Sequence, residues 1–331
     1  LIDGVVNGCP SHLLEPQRSN LVTYSEAFDN AYWTKSGSSL VSNQLSPKGD
    51  LSAFKLVENT SNAIHILFRG GNVFVSGQYY SYSFYAKRNG RSQILVKAGS
   101  TSTFGVNAIF DLQNGTSVST VGTSNIQLIS NEWYKCSVSG LASSTVSTEL
   151  ITYLYNGAQS YQGDGTSGVY IFGAQLEQGS YPTSYIPTSG SAVTRVAETA
   201  NGAGDASTFN SLEGVLMAEI SALADDADTL RWINLSDGGT SNRVAFYYRT
   251  DENQLTYLVS SGGTQVFSTV TLSSASSFNK IAAKYKQNDF SLWINGYELI
   301  TDTNGNAPVG LNDLSFDNAV GGDNFYGSAK Q

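Results

Sequence analysis

Residues 78–87 read QYYSYSFYAK. Successive side chains of an extended chain point to opposite faces. Tyr80, Tyr82, Phe84 and Ala86 therefore share one face, and Tyr79, Ser81, Ser83, Tyr85 and Lys87 share the other. That alternation predicts a half-buried β-strand. Comparable runs predict strands at 93–98, 105–111, 132–138, 149–155 and 168–176. Later ones fall at 231–235, 243–249, 254–259, 264–271, 279–286 and 289–294. Asn-Gly pairs at 89–90, 114–115, 156–157 and 295–296 mark turns between them, because both residue types tolerate positive φ. The segment 212–230 (LEGVLMAEISALADDADTL) looks helical by propensity. The alternation of Leu216, Ala218 and Ile220 nevertheless predicts a strand at 214–221, followed by an Asp-rich loop. Short strands at this regular spacing predict sandwiches or jelly rolls.

The pattern also suggests an organisation. Residues 1–20 have two prolines and little periodicity, and read as an extended lead-in packed on a first module at 21–187. Residues 188–208 are small and polar and read as a linker. A second module occupies 209–331. A length of 331 residues fits two domains. No repeat relates the two halves.

Composition sharpens this picture. Only 14% of residues are charged, and there are 19 Tyr against 4 Trp and 1 Met. Such a chain is poor in the charged residues of helix surfaces and rich in strand and turn formers. The net charge of −9 leaves no basic stripe for nucleic acid. Residues 1–205 carry net −2 and residues 206–331 net −7. Lys87, Arg88 and Arg91 beside Asn89-Gly90 read as a solvated hairpin tip. Two cysteines, Cys9 and Cys136, make no disulfide framework, and with His12 and His65 they are too few for a zinc site. No run of 18 apolar residues exists, so no membrane insertion is expected. The chain begins with Leu and is expected to be a fragment of a longer protein.

Two passages carry a resemblance: LLEPQRSNLVTYSEAFDNAYWTKSG (13–37) and SYQGDGTSGVYIFGAQLEQGSYPTSYIPTSGSAVTR (160–195). Together they resemble the framing strands of a module found in phage structural, tail-fibre and head-fibre proteins. That module is similar to the carbohydrate-binding jelly rolls of polysaccharide-degrading enzymes. The matching positions are Asn20, Leu21, Glu26, Phe28 and Trp33, with Gly77, Tyr80, Ser83, Phe84 and Lys87 in the internal strand. Residues 209–331 resemble a concanavalin A/laminin G-like domain through EGVLMAEIS, INLSDGGTSNRVAFYYR, KIAAKYKQNDFSLWINGYEL and the Gly-Gly-Asp near 321. Such domains usually continue into one more strand and a short helix, so this one is expected to be truncated at its C-terminus. The resemblance implies an all-β chain of two tandem antiparallel β-sandwiches, jelly roll then laminin G-like.

Candidate chemistry follows from the residue types. No paired-carboxylate strand motif of a glycoside hydrolase and no supported Ser-His-Asp set is legible, so the chain is expected not to be an enzyme. Sugar rings have apolar C–H faces that stack on aromatic rings. Tyr79, Tyr85 and Lys87, Tyr153 and Tyr155, and Tyr247 and Trp293 are the carbohydrate-binding candidates. Trp33 and Trp133 read as core anchors, and His65, between Ile64 and Ile66, as a strand histidine. Related jelly rolls hold a structural calcium between the first and last strands, which implies Glu26 and Glu177 as possible ligands. Asp225, Asp226 and Asp228 form a second calcium candidate.

The expected function is a non-catalytic fibre or decoration protein on a virion surface that binds host cell-surface glycans. Expected partners are a surface polysaccharide, other virion proteins and, by analogy, further copies in a trimer. An accessory binding region of a secreted polysaccharide-degrading enzyme and a ligand-free spacer are the alternatives.

Overall fold

The computed structural model describes residues 11–98, 105–224, 229–250 and 253–330. No helix occurs among them. The chain is all-β, as expected, and divides into two compact units. One spans Gln17–Arg195, and the other combines Gly8–Pro16 with Val196–Gln331.

The first unit packs two six-stranded sheets. One sheet runs Thr123–Ser130, Trp133–Leu141, Tyr79–Asn89, Gly168–Gln178, Ala53–Glu58, Ser38–Gln44. The other runs Thr116–Val121, Val106–Asp111, Gln93–Ala98, Val146–Tyr155, Ile66–Phe74, Thr34–Ser36. The chain crosses repeatedly from one sheet to the other, as in a jelly roll. Tyr80, Tyr82, Phe84 and Ala86 point into the core beside Phe28, Trp33, Phe110 and Leu154. Cys136 is buried in the same core, and burial pushes its thiol up. Cys9 lies outside the described residues.

The second unit packs a six-stranded sheet on a five-stranded one. The first is ordered Ser11–Leu14, Gly327–Lys330, Glu213–Ala222, Asn279–Lys286, Phe290–Ile294, Tyr297–Asp302. The second is ordered Thr264–Thr271, Gln254–Ser261, Asn242–Tyr248, Arg231–Ser236, Asp313–Ser315. The segment with helical propensity is the strand Glu213–Ala222, with Leu216 and Ile220 in the core and Val215 and Met217 exposed. Burial of one alternate face outweighs intrinsic propensity here. Asn295 (φ +52°) and Gly296 (φ +89°) both take positive φ, the requirement of a two-residue type I′ hairpin.

Two expectations change in part. Within the lead-in, Ser11–Leu14 pairs with Gly327–Lys330 and Leu14 packs against the second core, whereas Arg18–Asn20 belongs to the first unit. Glu15 N also bonds Glu198 Oε2 (2.8 Å), and Glu198 N bonds Glu15 O (2.9 Å). The stretch read as a linker is paired along much of its length. Val193–Arg195 pairs with Arg18–Asn20, and Ala203 exchanges backbone hydrogen bonds with Leu314. In both segments the partner strand is remote in sequence, so no local periodicity announces it.

Candidate functional site

The outer face of the Tyr79–Asn89 strand, expected to be an open aromatic platform, is largely covered. Ser81, Ser83, Gln175 and Glu177 on this face are buried. Thr183 donates to Glu177 through its backbone N (3.0 Å, to Oε2) and through Oγ1. Gln175 Nε2 donates to Glu177 Oε2 (2.8 Å) and to Ser184 O (3.2 Å), while Gln175 Oε1 accepts from Ile186 N (2.6 Å). Asn20 adds bonds to Ala174 O and Ile186 O. The closing passage 179–188 thus folds back over the sheet and is clasped there. Tyr85 lies in this aromatic layer, 5.9 Å from Phe172 and 6.1 Å from Tyr185 between ring centroids. Only Tyr79 of the pair is exposed. Of the positions that carry the sequence resemblance, Asn20 and Ser83 belong to this covered face, whereas Phe28, Trp33, Tyr80 and Phe84 lie in the core.

One end of the same sheet opens into a cleft of about 520 Å³. Lys87, Arg88 and Asn89 at the end of the long strand line one wall, the turn Ser130–Asn131–Glu132 another, and the loop from Gln44 to Gly49 a third. Trp133 and Tyr170 supply the aromatic part of the lining, with ring centroids 6.4 Å apart. Asn131 (φ +48°) and Glu132 (φ +64°) are both left-handed, which turns the Asn131 carbonyl toward Lys87 Nζ (2.8 Å). Glu132 accepts from Arg88 Nη2 (3.2 Å) and lies 3.6 Å from Lys87 Nζ. These cations hold its carboxyl below the usual range. Asn89 Nδ2 donates to the Tyr170 hydroxyl (2.7 Å). Lys87 therefore lines this cleft, and Tyr79 and Tyr85 do not. The Asn-Gly turn and the basic cluster at 87–91 were the available sequence signals.

The basic cluster is not merely a solvated tip. Arg91 forms a two-pronged bond with the buried Glu58 (Nε–Oε2 2.7 Å, Nη2–Oε1 2.6 Å). Tyr161 Oη and Asp164 N complete the carboxylate's shell at 2.7 and 2.8 Å. Burial alone pushes the Glu58 carboxyl up, but Arg91, Tyr161 and the Asp164 amide together outweigh it, and the net shift is downward. His65 is buried nearby, with its ring nitrogens 2.6 Å from Gly37 O and 3.2 Å from Tyr161 O.

The remaining candidates lie apart. Tyr153 and Tyr155 are on the outer face of the opposite sheet, where Tyr153 packs with Ile66 and Leu95. Lys97 Nζ sits 5.7 Å from the Tyr153 ring centroid, and burial raises the Tyr153 hydroxyl. Tyr155 donates to Gly157 O (3.0 Å). In the second unit Tyr247 and Trp293 lie on different sheets. Trp293 is 41% exposed, and its Nε1 bonds Ser291 Oγ (3.1 Å). Tyr247 is buried and stacks on Trp232 with centroids 3.7 Å apart and planes 17° apart.

The calcium candidates are not gathered. Glu26 pairs with Lys48 (3.1 Å) and accepts from Tyr185 Oη (3.1 Å), whereas Glu177 is occupied by Thr183 and Gln175. Among the described residues no group of three or more His, Cys, Asp or Glu is placed to hold a metal ion. Asp225, Asp226 and Asp228 lie outside the described residues.

The geometry defines a class: tandem antiparallel β-sandwiches, the first with a polar, aromatic-lined cleft at one end. No protein-family model matches the chain, and no curated protein does. Among solved structures the chain is similar to domains LG4-5 of the mouse laminin alpha1 chain. There the identity is 12% and the TM-score 0.28, with 82% of this chain and 85% of that one covered. It is also similar to the LG1-3 region of the laminin alpha2 chain, at 14% identity and TM-score 0.19. That match covers 79% of this chain and 60% of that one.

Proposed function

We propose that this protein is a non-catalytic glycan-binding component of a virion surface, and that the cleft of the first unit takes the sugar. The observation that carries the reading is the cleft's lining. Amide, ammonium and guanidinium donors from Asn89, Lys87 and Arg88 converge beside Trp133 and Tyr170 in a space of about 520 Å³. Convergent polar groups around aromatic rings suit a ring with hydroxyl edges and an apolar face. The one carboxylate in the lining, Glu132, is paired with Lys87 and Arg88. Glycoside hydrolysis by the usual route needs two carboxylates across the bond, so the lining supports binding rather than cleavage. Placement on a phage fibre or decoration protein rests on the sequence resemblance in residues 13–37 and 160–195. Weak single sites would gain avidity from several copies, which is why a homo-oligomer belongs to the reading.

A glycan-array assay on the full chain, with and without a calcium chelator, tests it. Binding that falls at least tenfold in Tyr170→Ala and Lys87→Gln supports the cleft. Binding unchanged in both variants moves the site elsewhere. A folded chain that binds no glycan is left as a spacer. Loss on chelation alone would restore calcium to the account.

A further inference from the structure

Six Asn-Gly pairs fall among the described residues, at 89–90, 114–115, 156–157, 201–202, 295–296 and 304–305. An asparagine before glycine can react with its own main chain. The glycine N, on losing its proton, attacks the Asn Cγ, and a five-membered succinimide forms as ammonia leaves. Glycine favours this because it has no Cβ to crowd the approach. The two atoms are tethered in one chain, so the attack carries no encounter cost. Two features oppose it: a hydrogen bond that holds the glycine N–H, and bonds that pin the asparagine amide.

Five of the six pairs are held. Asn114 Nδ2 donates to Asp111 Oδ2 (2.9 Å), and Gly115 N to Asp111 O (2.9 Å). Asn201 Nδ2 donates to Asp317 Oδ2 (2.8 Å), and Gly202 N to Ser315 Oγ (3.4 Å). Asn295 Nδ2 donates to Asn279 Oδ1 (3.0 Å), while its Oδ1 accepts from Lys280 N (2.9 Å). Asn89 Nδ2 is held by the Tyr170 hydroxyl (2.7 Å), and Gly305 N by Asn288 Oδ1 (3.1 Å). At Asn156-Gly157 neither the side-chain amide nor the glycine N bonds any described residue. Both residues are exposed, and a Cβ at Gly157 would meet nothing within 4 Å. They begin the loop between the strands Val146–Tyr155 and Ser160–Gln162. That loop is fixed through other atoms. Asn156 N donates to Ala158 O (3.4 Å) and Tyr155 Oη to Gly157 O (3.0 Å), which leaves Cγ and the attacking nitrogen open.

We propose that Asn156 is a self-modification site, where water converts the amide into aspartate and isoaspartate. In the first step the bond from Gly157 N to Asn156 Cγ forms and the Cγ–Nδ2 bond breaks, and the proton lost by Gly157 N leaves with the ammonia. In the second step water adds to one of the two ring carbonyls. Opening at Cγ restores the ordinary main chain with an aspartate side chain. Opening at the main-chain carbonyl sends the chain through Cγ and gives isoaspartate. Overall an amide and water become a carboxylate and ammonium, with nothing oxidised or reduced. No side chain acts as acid or base, so the rate follows hydroxide and rises with pH. Either product places a negative charge on a loop whose last residue, Gln159, accepts from Lys97 Nζ (3.1 Å). The isoaspartyl product also lengthens the path from Tyr155 to Gly157 and so disturbs the bond between them.

This inference does not depend on sugar binding. Its test is a time course of the folded full chain at mildly alkaline pH, read by peptide mapping that separates the Asn, Asp and isoAsp forms of each site. Asn7-Gly8 lies outside the described residues, and the mapping keeps it separate. Asn156 is expected to convert faster than each of the five held pairs by about tenfold or more, the rate equivalent of one hydrogen bond that must first break. In concentrated urea those bonds are gone, and the six rates should draw together. Conversion of any held pair as fast as Asn156 in the folded chain overturns the inference. So does an Asn156 rate that does not rise with pH. An advantage at Asn156 that persists undiminished in urea also overturns it, because the local sequence and not the structure would then set the ranking.

Discussion

Each unit has one sheet whose outer face carries buried polar side chains, and the two faces differ in how those groups are matched. In the first unit Gln175 and Glu177 are covered by the returning segment, which supplies Thr183 and Ile186 as partners. In the second unit Asn234, just as buried, has none. A fully matched amide–carboxylate pair under a clasp specifies architecture, because removing either partner strands the other. A buried amide with no partner adds no hydrogen bond to the fold and keeps its desolvation cost.

Mutation can break that contrast, beginning with the largest effect. Arg91→Ala should destabilise the first unit by about 3–5 kcal/mol, because it leaves the buried Glu58 carboxylate without its cation. Urea denaturation measures this, and a cost under about 1 kcal/mol would mean that water reaches Glu58. Glu177→Ala should cost about 3 kcal/mol, since two Thr183 donors and Gln175 Nε2 lose their acceptor. The same measurement on Asn234→Ala should show no loss, and a matching loss would erase the distinction between the faces.

Acid gives a smaller and graded test. The Glu58 carboxyl is held below its ordinary value of about 4.3 in the folded chain. Its contribution is therefore complete above that ordinary value and is lost as pH falls through the lower folded one. The urea midpoint of the first unit should fall as pH drops below about 4.3, and less steeply in Arg91→Gln. The smallest effect expected is from Tyr170→Phe. It removes only the acceptor of Asn89 Nδ2 at the cleft, and should alter stability by no more than about 1 kcal/mol while shifting glycan affinity.

Strand-level structure was legible where a strand carries one buried face. The 93–98, 264–271 and 279–286 strands fall where alternation places them, and the Asn295-Gly296 hairpin where the dipeptide does. Strands such as Ser38–Gln44, with little buried surface, and Ile66–Phe74, interrupted by Gly70-Gly71, gave no clean period. The site was less legible because its logic is non-local. Gln175 and Glu177 alternate with apolar neighbours like any solvent-facing polar pair, and nothing nearby says that Thr183 will cover them. Arg91 sits beside a turn, and its partner Glu58 is 33 residues away. The aromatic count pointed to tyrosines, and the cleft is instead built from a tryptophan, a tyrosine and the polar ends of strands.

The route of the chain also fixes how the molecule carries load. The path leaves the second unit after Pro16 and re-enters it at Val196, and the two edges of the inserted unit, Arg18–Asn20 and Val193–Arg195, are tied to each other. Ser11 faces Lys330 across an antiparallel pair, with Leu14 opposite Gly327. A pull on Ser11 against Lys330 therefore opens that pair from its end, one hydrogen-bonded step at a time, instead of shearing all its bonds together.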